Sequence, residues 1–246
     1  MTAGLDTRRV ILSGATSGLG LAAARRLIEE GARVWVLGSR PDSVEAALAE
    51  LDGAAGGTAC DAADEPGVER AVAEAAAAMG GIDAAFVNAG IDGEAKGVLE
   101  LSADHFRRVL DVNVVGAFLL ARAVARDMAK GGAIVINASV NGVRAEAGFA
   151  DYNASKAAAV SLAQTMALEL GERGIAVTCI CPGYVRTRMT APYLDDPETA
   201  RELLTHIPAR RFGRPEEVGA LVAFLISPEA AYLTGSIITI DGGRSV

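Results

Sequence analysis

Residues 9–27 read Arg9-Val-Ile-Leu-Ser13-Gly14-Ala-Thr-Ser17-Gly18-Leu19-Gly20-Leu-Ala-Ala-Ala-Arg-Arg-Leu27. The opening aliphatic run has strand character, and the closing alanine, leucine and arginine residues are strong helix formers. Between them stand glycines spaced G-x3-G-x-G, where the usual dinucleotide fingerprint is G-x-G-x2-G. Position supports the same use. Glycines between a first strand and a helix permit a tight turn and let backbone approach a pyrophosphate, while the helix directs its first N–H groups and positive dipole end at the anion.

Working outward, similar apolar runs recur at residues 33–37, 84–87, 133–136, 176–180 and 237–240, with a weaker one, Gly-Thr-Ala-Cys, at 57–60. Near-continuous apolarity marks strands buried on both faces. Helix-length segments lie between them, among them residues 18–30, 64–79, 102–128 and 151–170. Alternation of this kind implies right-handed crossovers and an α/β fold: a Rossmann-like doubly wound parallel sheet of about seven strands flanked by helices. No linker, repeat or low-complexity tract divides the chain, so residues 1–246 are expected to form a single dinucleotide-binding catalytic domain. The segment 186–214 breaks the rhythm and is expected to be an excursion over a site.

The 246 residues are 51% hydrophobic but only 4% aromatic, with 28 glycines, and carry a formal charge of −8. That composition excludes a wholly disordered chain, and the charge disfavours nucleic acid as a partner. No stretch reaches the ~20 uninterrupted apolar residues of a membrane span; Arg122 and Arg126 break the longest candidate. The start runs into the first strand without a signal-peptide pattern. A cytoplasmic protein without membrane association is expected.

The second strand should end near an adenosine ribose, where an acidic residue favours NAD. Here the sequence is Leu37-Gly38-Ser39-Arg40, with no carboxylate before Asp42. Ser39 and Arg40 suit a 2′-phosphate, which favours NADP over NAD; the competing reading of Arg40 is a solvated loop arginine before Pro41. Further on, Ser139 follows a strand, and Tyr152-Asn-Ala-Ser-Lys156 places phenol and amine at i and i+4 on one helix face. An ammonium beside a phenol is expected to lower its pKa, making proton exchange with an alcohol or carbonyl easier near neutral pH.

These pieces carry a resemblance. With Asp61 after the third strand, Asn88-Ala89-Gly90, Asn113-Val-Val-Gly116, Pro182-Gly183-Tyr-Val185-Arg-Thr187, Arg214-Pro-Glu-Glu217, Leu233-Thr-Gly235 and Asp241-Gly-Gly243, the chain resembles the short-chain dehydrogenase/reductases from its first strand to its end. The resemblance implies an NAD(P)-dependent oxidoreductase interconverting a secondary alcohol and a ketone by hydride transfer. It gives Tyr152 the acid/base role, Lys156 the nicotinamide ribose, Ser139 the substrate oxygen and Asn113 a water in a proton relay. Cofactor contacts would come from Ser13, Gly14, Ser17, Gly18, Leu19, Gly20, Ser39, Arg40, Asp61, Ala62, Asn88, Ala89, Gly90, Tyr152, Lys156, Val185 and Thr187. It also implies a homo-oligomer, a tetramer or dimer.

There are departures. Ser13 replaces a commoner threonine, and Val87 stands where the family often has the first asparagine of Asn-Asn-Ala-Gly. The carrier-protein reductases of fatty-acid synthesis usually bring a basic pair near the fifth and sixth strands. Arg173 fits one position, but Gly131-Gly132-Ala133 leaves the other bare, so a small free carbonyl or alcohol is the expected substrate. A non-catalytic dinucleotide-binding regulatory or structural subunit is the competing function.

The remaining chemistry-bearing residues point elsewhere. Cys60, Cys179 and Cys181 read as small buried hydrophobes and, with His105 and His206, lack metal-ligand spacing, so no metal is expected. His105 reads as a surface or packing residue and His206 as an exposed residue of the excursion. Arg186, Arg188, Arg210 and Arg211 either receive an anionic substrate or neutralise Asp195, Asp196 and Glu198.

Overall fold

The computed structural model describes residues 4–129 and 131–246; the reading of the first three residues of the chain lies outside them. Seven strands, β1 (Arg9–Ser13), β2 (Arg33–Gly38), β3 (Gly56–Ala59), β4 (Ala84–Val87), β5 (Gly132–Asn137), β6 (Ile175–Pro182) and β7 (Ile237–Ile240), pair in the order β3-β2-β1-β4-β5-β6-β7. Every pairing is parallel. The strand order reverses between β1 and β4, and the crevice beyond their carboxyl ends is where ligands of such sheets bind.

Helices cover both faces. Alanine-rich α3 (Glu65–Met79), α5 (Gly116–Asp127) and α6 (Ala150–Leu170) pack on one side, burying Val72, Leu120, Val124 and Ala163 against Ile134 and Val177. On the other side α1 (Gly18–Glu29) and α9 (Pro215–Ile226) bury Leu27, Val218 and Val222 against Leu12, Val34 and Phe86. Each large aliphatic side chain so buried contributes roughly 1.5–3 kcal/mol. Small residues set the spacing: a Cβ on Gly219 would stand 2.9 Å from Ala22 O, so α1 and α9 meet almost backbone to backbone. The weak run at β3 has a similar cause, because a Cβ on Gly56 would lie 2.5 Å from the Trp35 ring.

Three elements depart from the sequence reading. Residues 41–50 form a helix, α2 (Pro41–Glu50), with Arg40 at its N-cap, so Arg40 is a helix-start residue rather than part of an open loop. The expected continuous helix over 102–128 is two, α4 (Ala103–Leu110) and α5, joined by a wide turn at Asp111–Val115 in which Gly116 N–H bonds Asp111 O. The segment 186–214 contains α7 (Ala191–Leu194) and α8 (Pro197–Thr205). It leaves and rejoins the body at one point, where Gly213 N–H donates to Tyr184 O and Arg186 N–H to Gly213 O. No helix among the described residues is long and apolar enough to cross a membrane.

Candidate active site

A cavity of about 870 Å³ opens along the carboxyl ends of the strands. At one end lies the glycine turn. Gly14 sits at φ +59, and a Cβ there would approach Ala89 Cα to 2.9 Å. A Cβ on Gly20 would meet Gly14 O at 2.3 Å, so no larger residue lets α1 start this close to the turn. Ser17, at the N-cap of α1, makes no side-chain capping bond. The first-turn N–H groups are therefore left for an anion, beside a floor formed by Gly14, Ser17, Gly18 and Leu19. The phosphate end of a dinucleotide fits that cradle.

Two expected contacts have other work. Gly20 is buried and does not line the cavity; its contribution is the close approach of helix to turn. Ser13 lines the wall, but its Oγ accepts the N–H groups of Asn88 and Ala89, each at 3.0 Å, and so ties β1 to the turn after β4. Asn88 donates through Nδ2 to Ser13 O and Gly14 O, and its Oδ1 accepts from Asn137 Nδ2 at 2.8 Å. Val87 is simply a buried strand residue, and Asn88 carries the polar links of this turn.

Along the cavity, Ser39, Asp61, Ala62, Asn88, Ala89, Gly90, Val185 and Thr187 line the wall. Arg40 is exposed beside Ser39 and does not line the cavity. Gly116 lets α5 approach the loop after β3, since a Cβ there would lie 2.9 Å from Ala62 O.

Ser139, Tyr152 and Lys156 converge at the other end. Ser139 caps a short turn, Val140–Gly142, accepting Asn141 N–H at 3.2 Å, and its side chain lies beside the Tyr152 phenol and lowers its pKa. Lys156 Nζ donates to Asn137 O at 2.9 Å and lies 5.5 Å from the Tyr152 ring centroid. Burial pushes the Lys156 ammonium down to about 8. The Tyr152 phenol is shifted the other way from the sequence expectation. Burial, then the nearby Asp92 carboxylate, raise its pKa well above the ordinary phenol value, and the Ser139 hydrogen bond only partly opposes them. The lysine lies on the ring face, and desolvation wins.

Asn113 is 2% exposed and lies behind the cavity wall. Its Nδ2 donates to Ile91 O and Ser155 Oγ, each at 3.0 Å, while Oδ1 accepts Ile91 N–H at 2.8 Å. That side chain fastens the loop after β4 to α6, the helix that carries Tyr152 and Lys156.

Sequence reasoning missed several members of this site. Asn137 holds Lys156. Asp92 lines the cavity and accepts Tyr193 O–H from α7 at 2.9 Å. Asp151, fully buried, accepts Tyr152 N–H at 2.7 Å, Glu94 N–H at 3.2 Å and, at 2.9 Å, His105 Nδ1. His105 is thus a partner of the residue beside Tyr152. Its only sequence signal was that adjacency, which says nothing about contact across 46 positions. His206 is exposed. No group of His, Cys, Asp or Glu among the described residues is placed to hold a metal ion.

An uncapped helix start beside a glycine cradle, on a parallel sheet with a Ser-Tyr-Lys cluster lining the same cavity, defines a dinucleotide-binding α/β protein. A family model described as enoyl-(acyl carrier protein) reductase matches residues 14–245. The chain is 34% identical over 244 residues to dehydrogenase/reductase SDR family member 4 of Homo sapiens, covering 97% of this chain and 88% of that one. Its structure is similar to a short-chain dehydrogenase from Burkholderia cenocepacia J2315 in complex with NADP, with a TM-score of 0.92, 34% identity and coverage of 98% and 99%. It is also similar to 3-ketoacyl-(acyl-carrier-protein) reductase from Brucella melitensis complexed with NADH, with a TM-score of 0.91, 29% identity and coverage of 98% and 100%. The chain belongs to the short-chain dehydrogenase/reductase family, oxidoreductases that act on alcohol and carbonyl groups with NAD(P).

Proposed function

We infer that the protein interconverts a secondary alcohol and a ketone with Tyr152 as acid/base. The observation that carries this reading is Ser139, Tyr152 and Lys156 together on the wall of the cavity that begins at the glycine cradle, with Lys156 Nζ 5.5 Å from the Tyr152 ring centroid. When bound, the nicotinamide supplies the hydride in reduction and takes it in oxidation. The raised phenol pKa keeps the Tyr152 proton in place at neutral pH, ready for a carbonyl oxygen that becomes an alkoxide as it is reduced. Ser139 orients that oxygen. Lys156 spends one N–H on Asn137 O and has two left for a ribose. Backbone N–H groups of residues 14–20 would hold the pyrophosphate, Asp61 the adenine with Ala62 beside it, and Val185 and Thr187 would approach the carboxamide and phosphates. Asn113 acts by fixing Ile91 and Ser155.

NADP is our preferred cofactor. Ser39 on the wall and an exposed Arg40 at the start of α2 suit a 2′-phosphate, and no carboxylate precedes Asp42 to claim a free ribose hydroxyl. Small free carbonyls remain ahead of carrier-bound ones because Gly131-Gly132 offers no basic side chain. The segment 186–214 serves as the lid of one catalytic domain. Exposed Val115, Phe118 and, at 84% exposure, Leu168 on the α5–α6 side support a homo-oligomer, which light scattering tests. Three free cysteines fit a reducing, cytoplasmic compartment.

Absorbance assays of an alcohol and ketone panel with each cofactor test the activity. Turnover by the wild type, abolished in Tyr152→Phe with cofactor affinity retained, is the expected result. Tight cofactor binding without turnover on the whole panel would instead identify a non-catalytic nucleotide-binding subunit.

A further inference from the structure

Beyond the reacting oxygen, the cavity carries a second polar feature. Four acids line its wall, Asp61, Asp92, Asp104 and Asp111, and Asp92 alone of these is not exposed. It lies close enough to Tyr152 for its charge to raise the phenol pKa, which puts it at the Tyr152 end, away from the glycine cradle. Gly93 N–H donates to Asp92 Oδ1 and Tyr193 O–H to Oδ2, each at 2.9 Å. Tyr193 is itself steadied by an edge-on contact with Phe149, ring centroids 6.1 Å apart, just before the helix that bears Tyr152. Two of about four acceptor sites on the carboxylate are thereby used, which leaves about two for a donor entering the cavity that the residue lines.

We propose that Asp92, oriented by Tyr193, is a specificity-determining residue that accepts a hydrogen bond from a second hydroxyl of a neutral substrate, so that the preferred substrates are diols and hydroxyketones. This rests on the alcohol–ketone reading above and deepens it. The charge distribution favours a neutral donor over an anion. Arg186 pairs with Asp195, Arg211 with Glu217, and Arg210 caps the carbonyls of Leu204 and Thr205; none of the three lines the cavity. The basic groups on the wall besides Lys156 are Arg107, Arg108 and Arg188, all exposed at its rim, with Arg107 held by Asp104. A cationic substrate meets those arginines on entry, and burial disfavours Asp92 as a bare anion, a push that the Tyr193 and Gly93 hydrogen bonds only partly offset. A site built to bond a hydroxyl discriminates against an analogue that lacks it, because part of the acceptor's capacity is then left unpaired when the substrate displaces water.

The test compares oxidation of cyclohexanol, vicinal cyclohexanediol and a hydroxycyclohexane carboxylate by the full chain with NADP and with NAD. The readout is the ratio of kcat/KM for diol to that for mono-alcohol, which is insensitive to the fraction of folded enzyme. The wild type is expected to favour the diol by about tenfold or more and to turn over the carboxylate worst. Asp92→Leu should erase the diol preference and improve the carboxylate relative to cyclohexanol. Tyr193→Phe, which keeps the acceptor but frees its orientation, should reduce the preference partially. A wild-type ratio near one, or a preference that survives Asp92→Leu unchanged, overturns the subsite while leaving the alcohol–ketone reading intact. Failure of the wild type to oxidise any of these alcohols, or to reduce the matching ketones, overturns both.

Discussion

Lys156 Nζ donates to the main-chain carbonyl of Asn137 at 2.9 Å, so the amine is anchored to the end of β5 and lies on the face of the Tyr152 ring. This buried ammonium costs stability. Its folded value of about 8 lies below the ordinary 10.5, so between those values the unfolded chain binds more protons and stability rises with pH. Below about 8 the cost is felt in full. Lys156→Met should therefore stabilise the cofactor-free protein by about 1–3 kcal/mol at neutral pH, with the gain shrinking as pH rises toward 10.5. Thermal unfolding at several pH values checks this; a gain that is absent, or constant with pH, would contradict it.

Gly20→Ala should damage nucleotide binding more than any other single methyl addition in the turn. Its Cβ would meet the backbone at Gly14 O and Ala15 Cα, which cannot rotate away as a side chain can. Pushing α1 back from the cradle is expected to weaken cofactor binding by about a hundredfold and to cost about 1–3 kcal/mol of stability. Fluorescence titration with NADPH and chemical unfolding measure the two separately.

Arg40→Ala tests the cofactor preference. If Arg40 swings from the start of α2 to a 2′-phosphate, its removal should raise the NADP KM by about tenfold, the worth of one charge-assisted contact. The NAD KM should change little. Equal effects on both cofactors would remove the basis for preferring NADP.

Asp151→Asn should lower kcat about tenfold to a hundredfold while sparing cofactor affinity. The carboxylate gathers three donors from α4, the loop after β4 and Tyr152 itself. An amide turns an N–H toward one of them, and displacement of an acid/base by about 1 Å is enough for a loss of that size. Steady-state kinetics beside a cofactor titration distinguish this from general unfolding. Asp151→Glu, which restores acceptors only, should not recover activity, because the carboxylate already fills the space above Gly93, where a Cβ would stand 2.6 Å from Oδ1.

Much of this architecture was legible because burial writes itself into composition. Strands covered on both faces must be aliphatic, and six aliphatic runs were readable, although the last, β7 at the sheet edge, is partly exposed; even the weak run at 57–60 became β3, shifted by one residue. Ser139, Tyr152 and Lys156 were legible because helix periodicity and the strand end fix where they stand. The polar residues that hold them were not. Asn137, Asp92 and Asp151 gain their meaning from contacts across the strand order, which no local pattern encodes. The direction of the Tyr152 shift was hidden for the same reason: charge spacing along a helix is visible in sequence, whereas depth of burial and the Asp92 carboxylate are not. The split at Asp111–Val115 has only Gly116 at its end as a local signal, and a lone glycine inside a helical pattern does not announce a wide turn.

That wide turn has a consequence for how the helices α4 and α5 are read as one rod. An uninterrupted α-helix advances 100° per residue, and one extra residue in a turn slips its phase by about that angle. The slip lets α4 address α6 through His105 while α5 addresses α3, two partners that no single stripe on a straight helix of this sequence would face. It also leaves Asn113 at the seam, facing α6 and the loop after β4, where it binds Ser155 and Ile91. Deleting one residue here would restore a regular helix, and with it force a choice between the two packing partners.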